Sequence, residues 1–401
     1  MKYLLVIGDG MADYSIPELN YKTPLQTANK PNMDMIATKG QNGLLKTIPN
    51  EMTPGSGTAI LSILGYDPKR FYTGRGPFEA VARNIKLAEN DVAYRCNLIT
   101  EQDNKIVDSS ADHITSAEAE ELIEALENKI EKPSNIEFFA GLSYRNFLIM
   151  RNNIHSEIVS CIPPHDSIGI EISEILPKAK TEDSKSTADL LSRMILDSKM
   201  VLENHSVNVA RRKSGKRHAN MIWPWGGGKT PVIPVFKNKY GIGSAVISAV
   251  DLVKGIGVYA GMRVVEVPGA TGLYDTDYEA KADYALEALE ENDMVVVHVE
   301  APDEAGHSKD YWLKEKTIEA IDRRLLGRLL DGIKEECVIA VLPDHATPIK
   351  VGTHTRDPVP FAIYSPIVKG DEVRQFDEAS AKNGDVGLIE GEAFMSIFLG
   401  K

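Results

Sequence analysis

Apolar, β-branched runs with the length of buried strands recur along the chain at 3–7, 243–250, 263–267, 294–299 and 338–342. Runs that are apolar on both faces predict parallel strands covered from both sides. Between the later runs, 280–291 and 313–334 mix charged and apolar positions at helical spacing, as outer helices of an α/β sheet do. The strand–helix alternation from about residue 240 onward predicts a doubly wound, mainly parallel α/β sheet.

The pattern changes between about 76 and 235, where the elements are short: a strand at 93–99, a helix at 116–129 and a strand at 147–150. Trp223-Pro224-Trp225-Gly226-Gly227-Gly228 reads as a loop leading out of this region. The simplest organisation is a discontinuous α/β domain, 1–75 plus 236–401, with a smaller α+β domain, 76–235, inserted in it. A length of 401 residues agrees with two domains. A contiguous division is the alternative, but it does not explain why ligand-like residues cluster at the two chain ends.

Composition removes several partners. A net charge of −13 argues against nucleic acid, whose phosphates need clustered Lys and Arg. It leaves room for a small anionic substrate in a local basic pocket. No apolar run approaches the ~20 residues of a membrane span, and the N-terminal run is short for a signal peptide. Cys96, Cys161 and Cys337 form no C-x-x-C pair and read as free thiols in a reducing cytoplasm.

The chemistry lies where strands end. Asp9 follows the run 3–7, Asp303 follows 294–299 by a short turn, and Asp344-His345 follow 338–342 directly. Open α/β sheets bind ligands beyond the carboxyl ends of their strands. Asp303 and His307 are four apart and would share a helix face. His354 lies a short loop beyond His345. Oxygen and imidazole donors without thiolate suit Mn²⁺ or Zn²⁺. Ser56, between Gly55 and Gly57 and ahead of a helix-like run, would sit at a helix N-terminus, which favours an anion. Metal coordination would lower its hydroxyl pKa and make it a nucleophile, so the set reads as a two-metal phosphoryl-transfer site. Thr53, Thr58 and Ser62 are weaker rivals.

Taken together, Gly8-Asp9-Gly10-Met11-Ala12-Asp13, Pro54-Gly55-Ser56, Gly65-Tyr66-Asp67-Pro68, Asp303-x-Ala305-Gly306-His307, Asp344-His345 and His354 resemble the cofactor-independent phosphoglycerate mutases of the archaeal-type branch, within the alkaline phosphatase superfamily. The resemblance spans nearly the whole chain. It implies an alkaline-phosphatase-like sheet, a mobile inserted domain and a phosphoserine intermediate. It also implies two divalent metal ions, Mn²⁺ first with Zn²⁺, Co²⁺ or Mg²⁺ as alternatives, and no 2,3-bisphosphoglycerate. Carried over residue by residue, Asp9, Ser56, Asp344 and His345 surround one ion and Asp303, His307 and His354 the other, with Lys254 near the metals as a second catalytic residue beside Ser56. The implied reaction interconverts 3-phosphoglycerate and 2-phosphoglycerate in a site that excludes water.

Candidates for substrate binding and proton transfer are Arg75, Asp112, His113, Arg145, His165, Asp166, Arg211 and Arg212. His298 reads as a core histidine, and His155, His205 and His218 carry no assigned role. The chain departs from the resemblance at Gly57, where the family often has an acidic residue. Pro163-Pro164-His165-Asp166 and Ile222-Trp223-Pro224-Trp225-Gly226 resemble relatives proposed as homoserine kinases, so the acceptor stays open. A phosphatase or phosphodiesterase on the same scaffold, and a metal-stabilised binding protein without turnover, are the further alternatives. Gly228-Lys229-Thr230 mimics the end of a P-loop, but Trp223 stands where the first glycine belongs, which discounts a nucleotide.

Overall fold

The computed structural model describes residues 1–153 and 159–401, so His155 lies outside the described residues. The chain forms two compact units, Met1–Tyr72 with Ile233–Lys401, and Thr73–Val232.

The first unit is built on an eight-stranded sheet among the described residues. Its order is Arg263–Val264, Ser244–Ile247, Met294–Val299, Lys2–Gly8, Cys337–Leu342, Val359–Tyr364, Gln41–Lys46 and Gly387–Glu390. The first five strands are mutually parallel, and Val359–Tyr364 is antiparallel to both its neighbours. Lys2–Gly8 lies between Met294–Val299 and Cys337–Leu342, with Ile7 opposite His298 on one side and Leu342 on the other. Leu4, Val6, Val295, Val297, Ile339 and Val341 join one core cluster with the apolar faces of Tyr278–Glu291 and Tyr311–Ala320. Apolar burial of this extent is the main driving force for the fold. Three strands therefore end side by side; the loops after two of them carry Asp9 and Asp344, and the short helix after the third carries Asp303.

Several sequence-based boundaries shift. The run 243–250 is a strand only over Ser244–Ile247, and 263–267 only over Arg263–Val264. The long amphipathic stretch 313–334 begins earlier and is not one regular helix. A π-helical turn, Ile321–Leu326, lies between Tyr311–Ala320 and Gly327–Gly332. There the buried Asp322 carboxylate accepts from the backbone N–H of Met33 at 2.7 Å.

The second unit holds a five-stranded antiparallel sheet: Lys105–Asp108, Val92–Gln102, Arg145–Met150 and Ile136–Leu142 in order, with Met221–Lys229 also paired to Val92–Gln102. Helices Ser116–Lys129 and Lys185–Leu202 pack on it. The loop expected at 223–228 is thus an error: these residues are strand. Trp223 is fully buried and Trp225 nearly so, and that burial outweighs the turn propensity of Pro224 and the glycines. Met221–Lys229 is an edge strand among the described residues, so the N–H that Pro224 lacks is not needed on its open side. A Cβ on Gly227 would lie 2.2 Å from the Tyr94 ring, so the glycine permits the close pairing.

A buried ion-pair cluster ties the start of this unit together. Glu79, on the helix Arg75–Ala82, accepts two 3.0 Å contacts from the Arg95 guanidinium and another from Arg75. Burial alone would raise the Glu79 carboxyl, but Arg95 and Arg75 overcome it and hold the group down at about 2. A carboxyl lowered on folding stabilises above its unfolded value, and that contribution is lost as the pH falls toward the folded value. Glu79→Gln should therefore cost about 3 kcal/mol near pH 7. In urea melts the gap to the parent should shrink between about pH 4.5 and pH 2. A gap that does not change over this range would show that the carboxylate charge is not its source.

Candidate active site

Asp9 leaves the first strand with its backbone N–H donated to Val299 O at 2.9 Å, which fixes it beside the neighbouring strand end. Gly10 follows at φ +61°, and a Cβ there would lie 2.6 Å from Asp303 Oδ1; only glycine lets the loop pass. Asp344 Oδ1 accepts from the backbone N–H of Gly10 (3.2 Å) and of His345 (2.8 Å). Asp303 and His307 lie on the short helix Ala301–His307, with His307 Nε2 3.1 Å from Asp303 Oδ2. His354 Nε2 is 3.0 Å from His307 Nε2 and 3.5 Å from Asp303 Oδ1. His345 Nε2 lies 3.4 Å from both Asp9 Oδ1 and Asp344 Oδ2.

Ser56 opens the helix Ser56–Ile63, and its Oγ is 3.3 Å from Asp9 Oδ2 and 3.2 Å from His345 Nε2. All seven residues expected to hold metal are therefore gathered in one place in the first unit. Thr58 instead donates its hydroxyl to Thr53 O, and Ser62 is buried. Gly57 has a steric reason: a Cβ there would sit 2.5 Å from the Tyr72 ring, where a family-type acidic side chain would have to begin.

Three residues that carried no site assignment in the sequence join this cluster. His298 is fully buried with Nε2 3.1 Å from Asp9 Oδ2, and Glu300 shares a carboxylate group with Asp9 and Asp303. His298 lies next to last in the strand Met294–Val299, and Glu300 is the N-cap residue of the helix Ala301–His307 that follows it. Thr347 donates its hydroxyl to Asp303 Oδ1. Behind them, the fully buried Lys314 donates to Ala12 O (3.1 Å), Thr347 O (2.9 Å) and Asp13 Oδ2 (2.7 Å). It latches the loop after the first strand to the loop after Cys337–Leu342. Lys254 is paired with Glu266 at 2.6 Å and stands close enough to Lys281 to repel its charge; Lys281 in turn donates to His298 O at 3.2 Å.

The electrostatics are those of a site that wants cations. Burial first, then the Asp344, Glu300 and Asp303 charges, raise the Asp9 carboxyl well above its usual range. Burial pushes Glu300 up to about 7 and holds His298 and His345 down at about 4. His307 is raised to about 9 by the Asp303 carboxylate. Asp9 Oδ1, Asp344 Oδ2, Glu300 Oε2 and His298 Nε2 are buried without a hydrogen-bond partner. Buried polar atoms normally have one. Donors around an ion at about 2.1 Å lie about 3.0–3.4 Å from one another, and the spacings here match that range. The donor set fits divalent cations.

The second unit gathers some of the other candidates and not others. Arg75 and Arg95 flank Trp225, with guanidinium carbons 5.9 and 5.2 Å from its ring, and the His165 ring lies edge-on to it at 5.3 Å. Asp166 is 3.9 Å from His165. The Arg145 charge is felt at Glu79 and Arg95, and its Nε donates to Tyr144 Oη, whose ring meets His113. Arg95, buried with its Nε unpartnered, was not expected from the sequence. Arg211 and Arg212 are occupied elsewhere. Arg211 is buried and donates to Glu118, Ala111 O and Arg217 O, and Arg212 donates to Glu203. The Arg211 contact holds Ala111, which with Asp112 and His113 forms a left-handed run at φ 49°, 53° and 47°. Arg211 thus shapes the turn that carries those two candidates. His205 caps the helix Ser206–Lys213, and His218 pairs with Glu203.

A parallel sheet with carboxylates and imidazoles at its strand ends, and a serine at a helix N-terminus facing them, is the arrangement of a metal-dependent phosphoryl-transfer enzyme. Comparison with known proteins gives the particular family. The family model for 2,3-bisphosphoglycerate-independent phosphoglycerate mutase matches residues 37–208. The chain is 49% identical over 400 residues to 2,3-bisphosphoglycerate-independent phosphoglycerate mutase 2 of Methanothermobacter thermautotrophicus, covering 100% of this chain and 97% of that one. A solved protein from Pyrococcus horikoshii aligns with a TM-score of 0.85 at 33% identity, covering 100% of this chain and 96% of that one. The cofactor-independent phosphoglycerate mutase of Thermoplasma acidophilum aligns with a TM-score of 0.67 at 29% identity, covering 100% and 99%. The chain belongs to the 2,3-bisphosphoglycerate-independent phosphoglycerate mutase family, which is metal-dependent.

Binding of cations to the folded state alone should make stability depend on them. At about 100 times its Kd, one ion adds about 2.7 kcal/mol. Chelation with EDTA should lower the melting temperature of the chain, and a divalent cation added in excess of the chelator should restore it. Superimposable melts with and without chelator would contradict the cation-binding reading.

Proposed function

We propose that the chain interconverts 3-phosphoglycerate and 2-phosphoglycerate through a phosphoserine at Ser56, without 2,3-bisphosphoglycerate. The observation that supports it most is the position of the Ser56 hydroxyl, 3.2 Å from His345 and 3.3 Å from Asp9 at a helix N-terminus. Asp9, Ser56, Asp344 and His345 would hold one divalent cation, and Asp303, His307 and His354 the other. This oxygen-and-imidazole set suits Mn²⁺ or Zn²⁺; the family resemblance puts Mn²⁺ first, with Zn²⁺, Co²⁺ and Mg²⁺ as alternatives. Bound there, the cations lower the serine pKa and neutralise charge on the phosphoryl oxygens.

Ser56 Oγ gives up its proton as it attacks phosphorus, the bond to the C3 oxygen breaks, and that oxygen takes a proton. The C2 hydroxyl then attacks the phosphoserine, gives up its proton, and Ser56 recovers its hydroxyl. The backbone N–H groups at the start of Ser56–Ile63 face the phosphoryl group in both steps. The second unit, 73–232, would bind glycerate. Arg75, Arg95 and Arg145, the cations felt at Glu79, are the groups of this unit that would meet a carboxylate or phosphate. His113, Asp112, His165 and Asp166 are the nearby groups able to move a proton. The likeness to full-length relatives bearing this name supports the substrate over homoserine or simple hydrolysis.

Mn²⁺-loaded protein should convert 3-phosphoglycerate to 2-phosphoglycerate with no bisphosphoglycerate added and no release of phosphate. Ser56→Ala should lower kcat by at least about 10⁴-fold, the scale of losing a nucleophile. Peptide mass spectrometry of acid-quenched enzyme should find one phosphoryl group on the peptide carrying Ser56 and none in the variant. Full conversion by Ser56→Ala would sink the proposal.

A further inference from the structure

His298 has no task in the proposed function, yet it is held at its backbone and at one ring nitrogen. It lies in Met294–Val299, in parallel register with Ile7, two residues before Asp9. Its carbonyl accepts from the buried Lys281 at 3.2 Å. Its ring is fully buried, and Nδ1 is 3.2 Å from Ser248 Oγ, which also accepts from the backbone N–H of Val250 at 3.0 Å. The far nitrogen, Nε2, has no hydrogen-bond partner. It faces two carboxylates, each with an unpartnered buried oxygen, Asp9 Oδ1 and Asp344 Oδ2. Donor atoms of Asp9, His298 and Asp344 all lie within 4.8 Å of one another, and the edge from Nε2 to Asp9 Oδ2 is 3.1 Å.

A core histidine would satisfy both nitrogens. Here one nitrogen is anchored and the other is aimed into a group of acceptors. That is the usual construction of a ligating imidazole, whose second N–H is held by an orienting partner. The tautomer that donates Nδ1–H to Ser248 Oγ leaves the Nε2 lone pair directed at the Asp9–Asp344 pair.

We infer that His298 is a protein ligand, through Nε2, of the divalent cation held by Asp9 and Asp344, and that Ser248 is the positioning residue for its ring. The inference rests on the proposed function only in taking that site to hold a cation. The donor set becomes Asp9, Asp344 and His298, joined by Ser56 and His345. The ion then draws one imidazole from the sheet itself, from a strand ladder that cannot shift without breaking pairing.

The test is a Mn²⁺ titration of metal-depleted full-length protein by equilibrium dialysis with elemental analysis. Pulsed electron paramagnetic resonance of the Mn²⁺-loaded protein, labelled with ¹⁵N-histidine, is read alongside. Wild type should bind two ions. H298N should bind one of them more than about 100-fold more weakly, beyond the range that loss of an orienting partner alone gives, and S248A about 10-fold more weakly. The nitrogen coupling of directly bound imidazole should fall in H298N. Equal binding of both ions by wild type and H298N, or an unchanged nitrogen coupling, would overturn the assignment and leave the proposed function intact. Wild type that binds neither Mn²⁺ nor, in the same dialysis, Zn²⁺, Co²⁺ or Mg²⁺ would overturn both. Should H298N fail to fold, S248A decides: wild-type affinity for both ions rejects the inference.

Discussion

Three buried carboxylates, Asp9, Asp303 and Asp344, with the partly buried Glu300 beside them, are the constraint around which the first unit is organised. Isolated carboxylates in a low-dielectric interior are expensive, and mutual repulsion adds to the cost. The fold answers with fixed donors. Gly10 and His345 give backbone N–H groups to Asp344, Thr347 gives its hydroxyl to Asp303, and His307 and His354 stand against Asp303. Lys314 then ties two of the ligand loops to each other through Ala12, Asp13 and Thr347. What remains unpartnered points inward at one small volume, which is how a protein stores affinity for a cation.

The strand ladders make this affordable in geometric terms. Lys2–Gly8, Met294–Val299 and Cys337–Leu342 are adjacent and parallel, so their carboxyl ends, and the loops after them, meet at one edge. The ladder between Lys2–Gly8 and Met294–Val299 runs up to Asp9, whose backbone N–H still donates to Val299 O. Rigid elements position donors more accurately than loops do. The one ligand-bearing loop that runs far, from His345 to His354, is fastened by Lys314 to Thr347 and by His307 Nδ1, 3.1 Å from Gly352 O.

The second unit uses the opposite sign. Arg75, Arg95 and Arg145 share influence over one carboxylate, Glu79, with Trp225 as an apolar platform for two of the three. Its sequence was the harder to read. Arg211 looks as available as Arg145, yet it is buried and spent on Glu118 and Ala111, whereas Arg145 is exposed beside Tyr144. A guanidinium has the same donors in both settings, and only burial and neighbours separate a positioning arginine from one free to meet a ligand.

Residue type and order were enough for the parallel strands at 3–7, 294–299 and 338–342, because unbroken β-branched runs have few other ways to be buried. They were enough to expect Asp9, Asp303, His307, Asp344, His345, His354 and Ser56 together in one place, because several strand ends bearing such residues are improbable by chance. Strand 221–229 was misread, since turn propensity is local and the burial of Trp223 and Trp225 is not. His298, Glu300 and Lys314 were likewise beyond reach. A histidine inside an apolar strand and a lysine on an outer helix have ordinary readings until the register with Ile7 and the approach to Thr347 O are known. Periodicity decides which face of an element is buried; only tertiary packing decides what that face meets, and whether a buried polar atom finds a partner there or is left waiting for an ion.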